Sequence, residues 1–132
     1  MPVAIGASIA LGNKPVFVVD GDASLMMNIQ ELDTIARHRI PLSILVHNDS
    51  ALGAEYHKLK ARGLGIAGSD VASPDFAAVA RAFGLDSATI SKMDGLDILG
   101  PLPRPTPIVI DARISREVAN RLYRRTHYRM PE

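Results

Sequence analysis

Two apolar runs of strand length, separated by a helical pattern, constrain the fold of this chain most strongly. Residues 15–20 read PVFVVD and residues 41–47 read PLSILVH, and turn residues bound both runs. Short continuous apolar runs of this kind are typical of parallel strands buried on both faces. Between them, apolar residues recur at helical spacing after Ser24, a candidate N-cap: Leu25, Ile29, Leu32 and Ile35. The sequence therefore predicts a βαβ unit with a right-handed crossover.

The rest of the chain continues the alternation of helices and strands. We predict helices over residues 2–11, 76–83 and 114–125, strands over 88–91 and 106–111, and a proline-spaced connector over 101–107. This alternation favours an α/β fold, a parallel sheet flanked by helices, and 132 residues fit one domain, 1–132. Because nothing precedes the first helix to cap or cover it, we expect a fold that is incomplete at its N-terminus. The chain would then be a fragment or one part of a split protein.

Charge and composition exclude several classes of function. Fifteen basic against fourteen acidic residues give a net charge of +1, which creates no field that would recruit nucleic acid or an anionic membrane. The absence of cysteine excludes disulfides, thiolate metal sites and cysteine nucleophiles. No run approaches the ~20 apolar residues of a membrane span. We therefore expect a cytoplasmic protein with no nucleic-acid or membrane partner.

Polar residues follow the first two predicted strands at the point where each strand ends. Residues 20–24 read DGDAS and residues 48–50 read NDS. Ligands of open parallel sheets bind beyond the carboxyl ends of the strands, and a helix N-terminus there can bind phosphate. Asp22 and Asp49 can converge in one such crevice, and paired carboxylates beside phosphate suit Mg²⁺. Asp and Asn also favour ordinary turns, so the residues alone leave both interpretations open.

The segments GDASLMMNIQEL and IPLSILVHND, in this order, resemble a motif of thiamine-diphosphate-dependent enzymes of the pyruvate decarboxylase and acetolactate synthase type. In that family the motif begins Gly-Asp-Gly, runs through a helix and ends in Asn-Asn after an apolar strand. PVAIGASIAL upstream and ALGAEYHKL downstream extend the resemblance, so roughly the whole chain can be laid onto the family's diphosphate-binding domain. The resemblance implies the thiamine-diphosphate-binding fold, with thiamine diphosphate and Mg²⁺ as cofactors.

The resemblance assigns roles to residues of both segments. Asp22 matches the family's first metal-binding aspartate, Asp49 matches the second metal ligand, and the backbone carbonyl of Ala51 would be the third. Gly21, Ala23 and Ser24 match the turn that cradles the diphosphate. Ala23 replaces the usual glycine, which is tolerable only if its φ stays negative. Asp49 replaces the usual asparagine and adds a negative charge beside the diphosphate, so we expect a steeper dependence on the metal.

Glu55 is a candidate catalytic residue by the same resemblance. It lies six residues after Asp49, the offset at which some decarboxylases of the family place an acid/base glutamate. A carboxyl group facing an apolar cofactor cavity can shuttle protons to and from reaction intermediates. The alternative is a solvated helix residue without a catalytic role.

The resemblance also implies the enzyme and its partners. It indicates part of a lyase or transferase, a decarboxylase or an acetolactate-synthase-like carboligase, acting on a 2-oxo acid. In the family the cofactor's pyrimidine is engaged by a glutamate on another domain. We therefore expect a complementary pyrimidine-binding domain or chain, a homo-oligomer, and an isolated chain that is inactive.

Two other functions compete with this interpretation. The Asp-x-Asp spacing of VVDGD is that of phosphotransferases of the haloacid dehalogenase type, in which Asp20 would be phosphorylated and Asp22 would donate a proton. That class also has Ser or Thr closing the next core strand, where this chain has His47, Asn48 and Asp49.

The second competing function is a non-catalytic binding module built on C-terminal arginines. These are Arg113, Arg116, Arg121, Arg124, Arg125 and Arg129. Such clusters can bind phosphate backbones, although no aromatic stacking platform accompanies this one.

Overall fold

A four-stranded parallel sheet organises the chain in the computed structural model, which describes residues 1–128 apart from the side chain of Ile98. Its strands are β1 (Val16–Gly21), β2 (Leu42–Asn48), β3 (Asp86–Ile90) and β4 (Ile108–Arg113). They lie in the order β1-β2-β4-β3, and every neighbouring pair is parallel. The predicted α/β class, with a parallel sheet flanked by helices, is confirmed.

Six α-helices and two 3₁₀ segments precede, connect or follow the strands in the described part of the chain. The α-helices are α1 (Pro2–Ala10), α2 (Asp22–Met27), α3 (Glu31–His38), α4 (Gly53–Ala61), α5 (Phe76–Ala82) and α6 (Arg121–Thr126). The 3₁₀ segments are Ala67–Ser69 and Met93–Leu99. Within residues 1–128, no helix is long and apolar enough to cross a membrane.

The main core lies on one face of the sheet. Helices α1, α2, α3 and α5 bury aliphatic side chains and Phe76 there against Leu42, Ile44 and Val46 of β2. A second, smaller cluster on Ile90, Ile108 and Ile110 packs against the loops that follow β3. The two clusters together hold β2 and β4 as the central strands.

The prediction that β1 is buried on both faces is wrong. Val16 and Val18 pack against the main core, whereas Phe17 and Val19 are 43% and 50% exposed. The helices of the main core pack on the face of Val16 and Val18 and not on that of Phe17 and Val19, and β1 is an edge strand with β2 as its neighbour. A continuous apolar run does not distinguish an edge strand from a central one.

The single helix predicted after the first strand is instead two helices, α2 and α3. Helix α2 begins at Asp22, so Gly21 and not Ser24 is its N-cap. The side-chain amide of Asn28 donates to the Ser24 carbonyl at 3.1 Å, and Asn28 leaves the helical conformation. This local hydrogen bond competes with the backbone ladder and ends α2 after Met27.

The last helix is shorter than its predicted range of 114–125. Residues 114–120 are not helical, and α6 begins only after Asn120, whose side chain accepts from the Tyr123 amide at 2.9 Å. Upstream, the Ile114 amide donates to the Asn48 carbonyl at 3.0 Å. Long-range contacts with the end of β2 and the loop after it therefore keep this segment, which includes a turn at Arg116 and Glu117, out of a helix in spite of its helical pattern.

Candidate functional site

The register of the sheet brings three strand ends together. Gly21 at the end of β1 is opposite His47, and Asn48 at the end of β2 is opposite Arg113 of β4. Because parallel strands point the same way, the residues that follow them share one edge of the sheet. The turn after β1 and the loop after β2 meet at this edge, as the sequence predicts.

Asp22 is buried at the start of α2, where its side chain is 2% exposed. Its Oδ1 accepts from the Ala23 amide at 2.8 Å, and its Oδ2 accepts from the Ser73 hydroxyl at 2.6 Å. A buried carboxylate is costly unless its oxygens are satisfied, and here each oxygen has a donor. The carboxylate is therefore fixed in one orientation at the carboxyl edge.

Asp49 lies beside Asp22 and senses its charge. Partial burial raises the pKa of the Asp49 carboxyl, and the negative charge of Asp22 raises it further. The Ala51 amide, which donates to Asp49 Oδ1 at 3.1 Å, and the charge of Arg116 oppose this rise in pKa. The structure thus brings the two predicted metal ligands together, and a cation between them would relieve their repulsion.

The loop that carries Asp49 is held by contacts from distant segments. Asn48 is buried and donates to Asp111 Oδ1 at 2.9 Å. Ser50 has a positive φ of 52°, and its carbonyl accepts from Arg116 at 2.7 Å and from the Val71 amide at 3.1 Å. Ala51 is buried and forms an antiparallel bridge with Asp70. The backbone that would present the Ala51 carbonyl is therefore well anchored.

The turn between β1 and α2 has open space beside it. Gly21 is extended, with φ −84° and ψ 157°, and a Cβ placed on it would meet no heavy atom within 4 Å. Ala23 is in the first turn of α2 and is not among the residues with positive φ, so the condition for alanine at this position is met. Ser24 lies in the same turn, and its carbonyl accepts from Asn28.

A cleft of about 650 Å³ adjoins the carboxylate pair. Its lining comes from the ends of β2 and β4 and from the residues before α5, among them Asn48, Asp49, Ser50, Ser73, Arg113 and Arg116. Arg113 lies 3.5 Å from an oxygen of Asp75 and 3.4 Å from one of Asp111. Arg116 is paired with Asp70. These two arginines of the predicted binding module are therefore paired with acids of this chain, whereas Arg129 lies outside the described residues.

Glu55 lies on the first turn of α4, away from the cleft lining. Its side chain is 54% exposed, and its carboxylate is 3.9 Å from the ammonium group of Lys58. Neither observation tests a role in proton transfer, which stays a prediction.

The donor set of the site fits Mg²⁺ in combination with a phosphate ligand. Over residues 1–128, no three or more His, Cys, Asp or Glu side chains group around a potential metal position. Asp22 and Asp49 offer two hard carboxylates, and the Ala51 carbonyl stays the predicted third oxygen. Mg²⁺ is commonly bound by one or two carboxylates and completes its octahedron with water and substrate phosphates. This site therefore suits a metal that arrives with a diphosphate.

Sequence reasoning missed two residues of the site, Ser73 and Arg116. Ser73 contacts Asp22 across 51 positions, and Arg116 contacts Ser50 across 66. A serine before a proline carries no local signal of such a contact. In the sequence, Arg116 is one member of the C-terminal arginine cluster, and the non-helical course of residues 114–120 cannot be predicted from their helical pattern.

Comparisons with known proteins identify the family of this chain. Residues 1–99 match the family model described as thiamine pyrophosphate enzyme, C-terminal TPP binding domain. The chain is 36% identical over 121 residues to the acetolactate synthase large subunit of Parasynechococcus marenigrum (strain WH8102), covering 88% of this chain and 20% of the relative. It is 33% identical over 99 residues to the acetolactate synthase isozyme 2 large subunit of Escherichia coli (strain K12), covering 74% of this chain and 18% of the relative. The chain thus spans about a fifth of the length of these curated relatives.

Proposed function

Since this chain belongs to the thiamine pyrophosphate enzymes as a C-terminal TPP-binding domain, we propose that it binds thiamine diphosphate in a Mg²⁺-dependent manner. It would do so as the diphosphate-binding part of a 2-oxo acid decarboxylase or carboligase. The observation that carries the proposal is the convergence of Asp22 and Asp49 beside the open turn after β1.

The proposed metal site is made of oxygen atoms that approach from two strands. Asp22, already oriented by two hydrogen bonds, and Asp49 would supply carboxylate oxygens, and Ala51 would supply its carbonyl. With the metal bound, its charge offsets the two carboxylates and the anionic diphosphate together. This chain's part is to hold that cluster of charges in place.

The proposed diphosphate contact is the turn of Gly21, Ala23 and Ser24. The glycine leaves space for a ligand to approach the backbone, as the absence of neighbours around its Cβ position indicates. Backbone amides of such turns donate to phosphate oxygens. A bound diphosphate would share or compete for the Gly21 amide with Asp20 Oδ1 and for the Ala23 amide with Asp22 Oδ1. The small side chains of Gly21, Ala23 and Ser24 therefore leave the backbone accessible to the ligand and take no part in the chemistry themselves.

Thiamine diphosphate, when bound, supplies the carbanion chemistry and the electron sink that 2-oxo acid reactions require. The described residues orient the anionic end of that cofactor. We propose that a complementary pyrimidine-binding domain or chain, in an oligomer, completes the active site and that Glu55 exchanges protons there. We further propose that chain 1–132 is one domain of such an assembly.

The competing functions have weaker support. The family match covers the VVDGD segment and therefore favours the diphosphate interpretation of Asp22 over a phosphotransferase role for Asp20. The acid pairs of Arg113 and Arg116 argue against a free basic surface at those two positions.

Calorimetric titration of the chain with thiamine diphosphate, with and without Mg²⁺, tests the proposal. We expect binding to be much weaker without Mg²⁺ than with it, and the gain from Mg²⁺ to be lost in Asp22→Ala, because that change removes a metal ligand. Asp86→Asn, which removes an exposed carboxylate from β3, is the matched charge control and should bind normally. Binding that ignores both Mg²⁺ and Asp22 would contradict the proposal.

A further inference from the structure

Ser73 makes a hydrogen bond that ties two distant segments together at the proposed metal site. Its hydroxyl donates to Asp22 Oδ2 at 2.6 Å, and the partners are 51 residues apart in sequence. Because Asp22 is only 2% exposed, little water can replace this donor. The hydroxyl therefore decides how one of the two carboxylate oxygens is oriented.

The position of Ser73 is itself fixed by the start of α5. Pro74 follows directly and restricts Ser73 to an extended backbone. Asp75 then caps α5 by accepting from the Ala78 amide at 2.8 Å, and Phe76 is fully buried in the main core. The hydroxyl is thus presented from an anchored segment and not from a loose loop.

The other partner is equally constrained. Asp22 begins α2, whose Leu25 is fully buried, and its Oδ1 accepts from the Ala23 amide. A carboxylate oxygen can accept more than one interaction, so a donor on each oxygen leaves room for a metal. These two fixed donors hold the plane of the carboxylate.

We infer that Ser73 is a positioning residue for the metal ligand Asp22, and that its hydroxyl raises the affinity of the site for Mg²⁺. This inference rests on the proposed function. Groups that orient the ligands of a metal in this way change metal affinity by about 10- to 100-fold when they are removed. Ser73 carries no charge, so replacing it by alanine leaves the net charge of the site unchanged.

Calorimetric titration of Mg²⁺ at a fixed, saturating concentration of thiamine diphosphate tests the inference in the whole chain. Ser73→Ala should weaken Mg²⁺ binding by about tenfold or more, and Ser73→Thr, which keeps the hydroxyl, should restore it to within about threefold of the original chain. If Ser73→Ala does not fold, Ser73→Cys keeps the volume with a poorer donor and should give an intermediate loss.

Ser69→Ala is the matched structural control. Ser69 is fully buried a few residues upstream, and its hydroxyl donates to the Ile66 carbonyl at 2.7 Å without touching Asp22. It should lower the melting temperature but leave the Mg²⁺ affinity unchanged.

Three results would count against the inference. Equal Mg²⁺ affinity in Ser73→Ala and the original chain would overturn it and leave the proposed function standing. Equal losses in Ser69→Ala and Ser73→Ala would reduce Ser73 to a purely structural role. An original chain that binds neither Mg²⁺ nor thiamine diphosphate would remove the proposed function and the inference together.

Discussion

At Asp49 the family resemblance predicts an uncharged asparagine, and Asp49→Asn is the substitution that tests the effect of the added charge. Burial and Asp22 both raise the pKa of Asp49, which shows that its negative charge is unfavourable when no metal is present. The same charge should repel an incoming diphosphate. Asparagine keeps an oxygen that can accept from the Ala51 amide, so the substitution removes charge with little change of shape.

The size of the effect follows from simple electrostatics. Two unit charges 4 Å apart interact by about 1 kcal/mol in water and about 4 kcal/mol at an effective dielectric constant near 20. Asp49 is only partly buried, so screening limits the repulsion to roughly 1–2 kcal/mol. At about 1.4 kcal/mol per tenfold change in affinity, Asp49→Asn should strengthen metal-free binding of thiamine diphosphate about tenfold.

The assay compares dissociation constants for thiamine diphosphate without Mg²⁺ and at saturating Mg²⁺. The ratio of the two constants should shrink about tenfold in Asp49→Asn, because the extra charge is compensated only by the metal. Asp33→Asn, which neutralises an exposed carboxylate on α3, is the control and should keep the original ratio. An unchanged ratio in Asp49→Asn would refute the reasoning.

Three further predictions follow from the same contacts. A Cβ on Gly53 would lie 2.9 Å from Asp49 Oδ2, so Gly53→Ala should displace that carboxylate and weaken Mg²⁺ binding roughly three- to tenfold in calorimetry, with little loss of thermal stability. Gly6→Ala, at a position with open space, is the control and should keep the original affinity. Equal Mg²⁺ affinities in Gly53→Ala and the original chain would contradict this prediction. The raised pKa of Asp49 means that its ionisation destabilises the metal-free fold above that pKa and that the penalty fades as the pH falls toward the ordinary value of 3.8. In urea unfolding at pH 7, the free energy of unfolding of Asp49→Asn should therefore exceed that of the original chain by on the order of 1 kcal/mol or less, and this difference should vanish in acid. A difference that grows in acid would contradict the prediction. Glu55→Gln should leave Mg²⁺ and cofactor affinity within about twofold, since the side chain is exposed and outside the cleft lining, and a large loss would place Glu55 in the binding site itself.

The βαβ unit at the start of the chain could be predicted from sequence because its signals are local. The apolar runs of β1 and β2, the glycine that ends β1 and the helical spacing of Leu25, Leu32 and Ile35 each act over a few residues. The same holds for α5, whose cap Asp75 stands next to a proline. Where local signals agree with the global fold, a single sequence is informative.

The errors fall where tertiary contacts override a local pattern. Nothing local in the apolar run of β1 shows that Phe17 and Val19 lie on an edge strand with an exposed face. Residues 114–120 have helical spacing, yet contacts of Ile114 and Arg116 with the end of β2 and the loop after it keep them out of a helix. The second outcome depends on partners 66 residues away in the sequence, Asn48 for Ile114 and Ser50 for Arg116.

The candidate site divides in the same way. The proximity of Asp22 and Asp49 could be predicted from the sequence, since the carboxyl ends of parallel strands share one edge of the sheet. The orientation of their side chains could not, because it depends on Ser73 and Arg116, which reach the site from later segments. Sequence motifs thus predict which residues would meet a ligand, and the structure shows which contacts hold those residues in place.

The most direct test of the central claim, that this chain holds the diphosphate end of the cofactor, is a comparison of thiamine diphosphate with thiamine at saturating Mg²⁺. We predict that thiamine diphosphate binds, that inorganic diphosphate competes with it, and that thiamine shows no measurable binding over the same concentration range. Equal affinities for thiamine and thiamine diphosphate, or a failure of inorganic diphosphate to compete, would contradict the account.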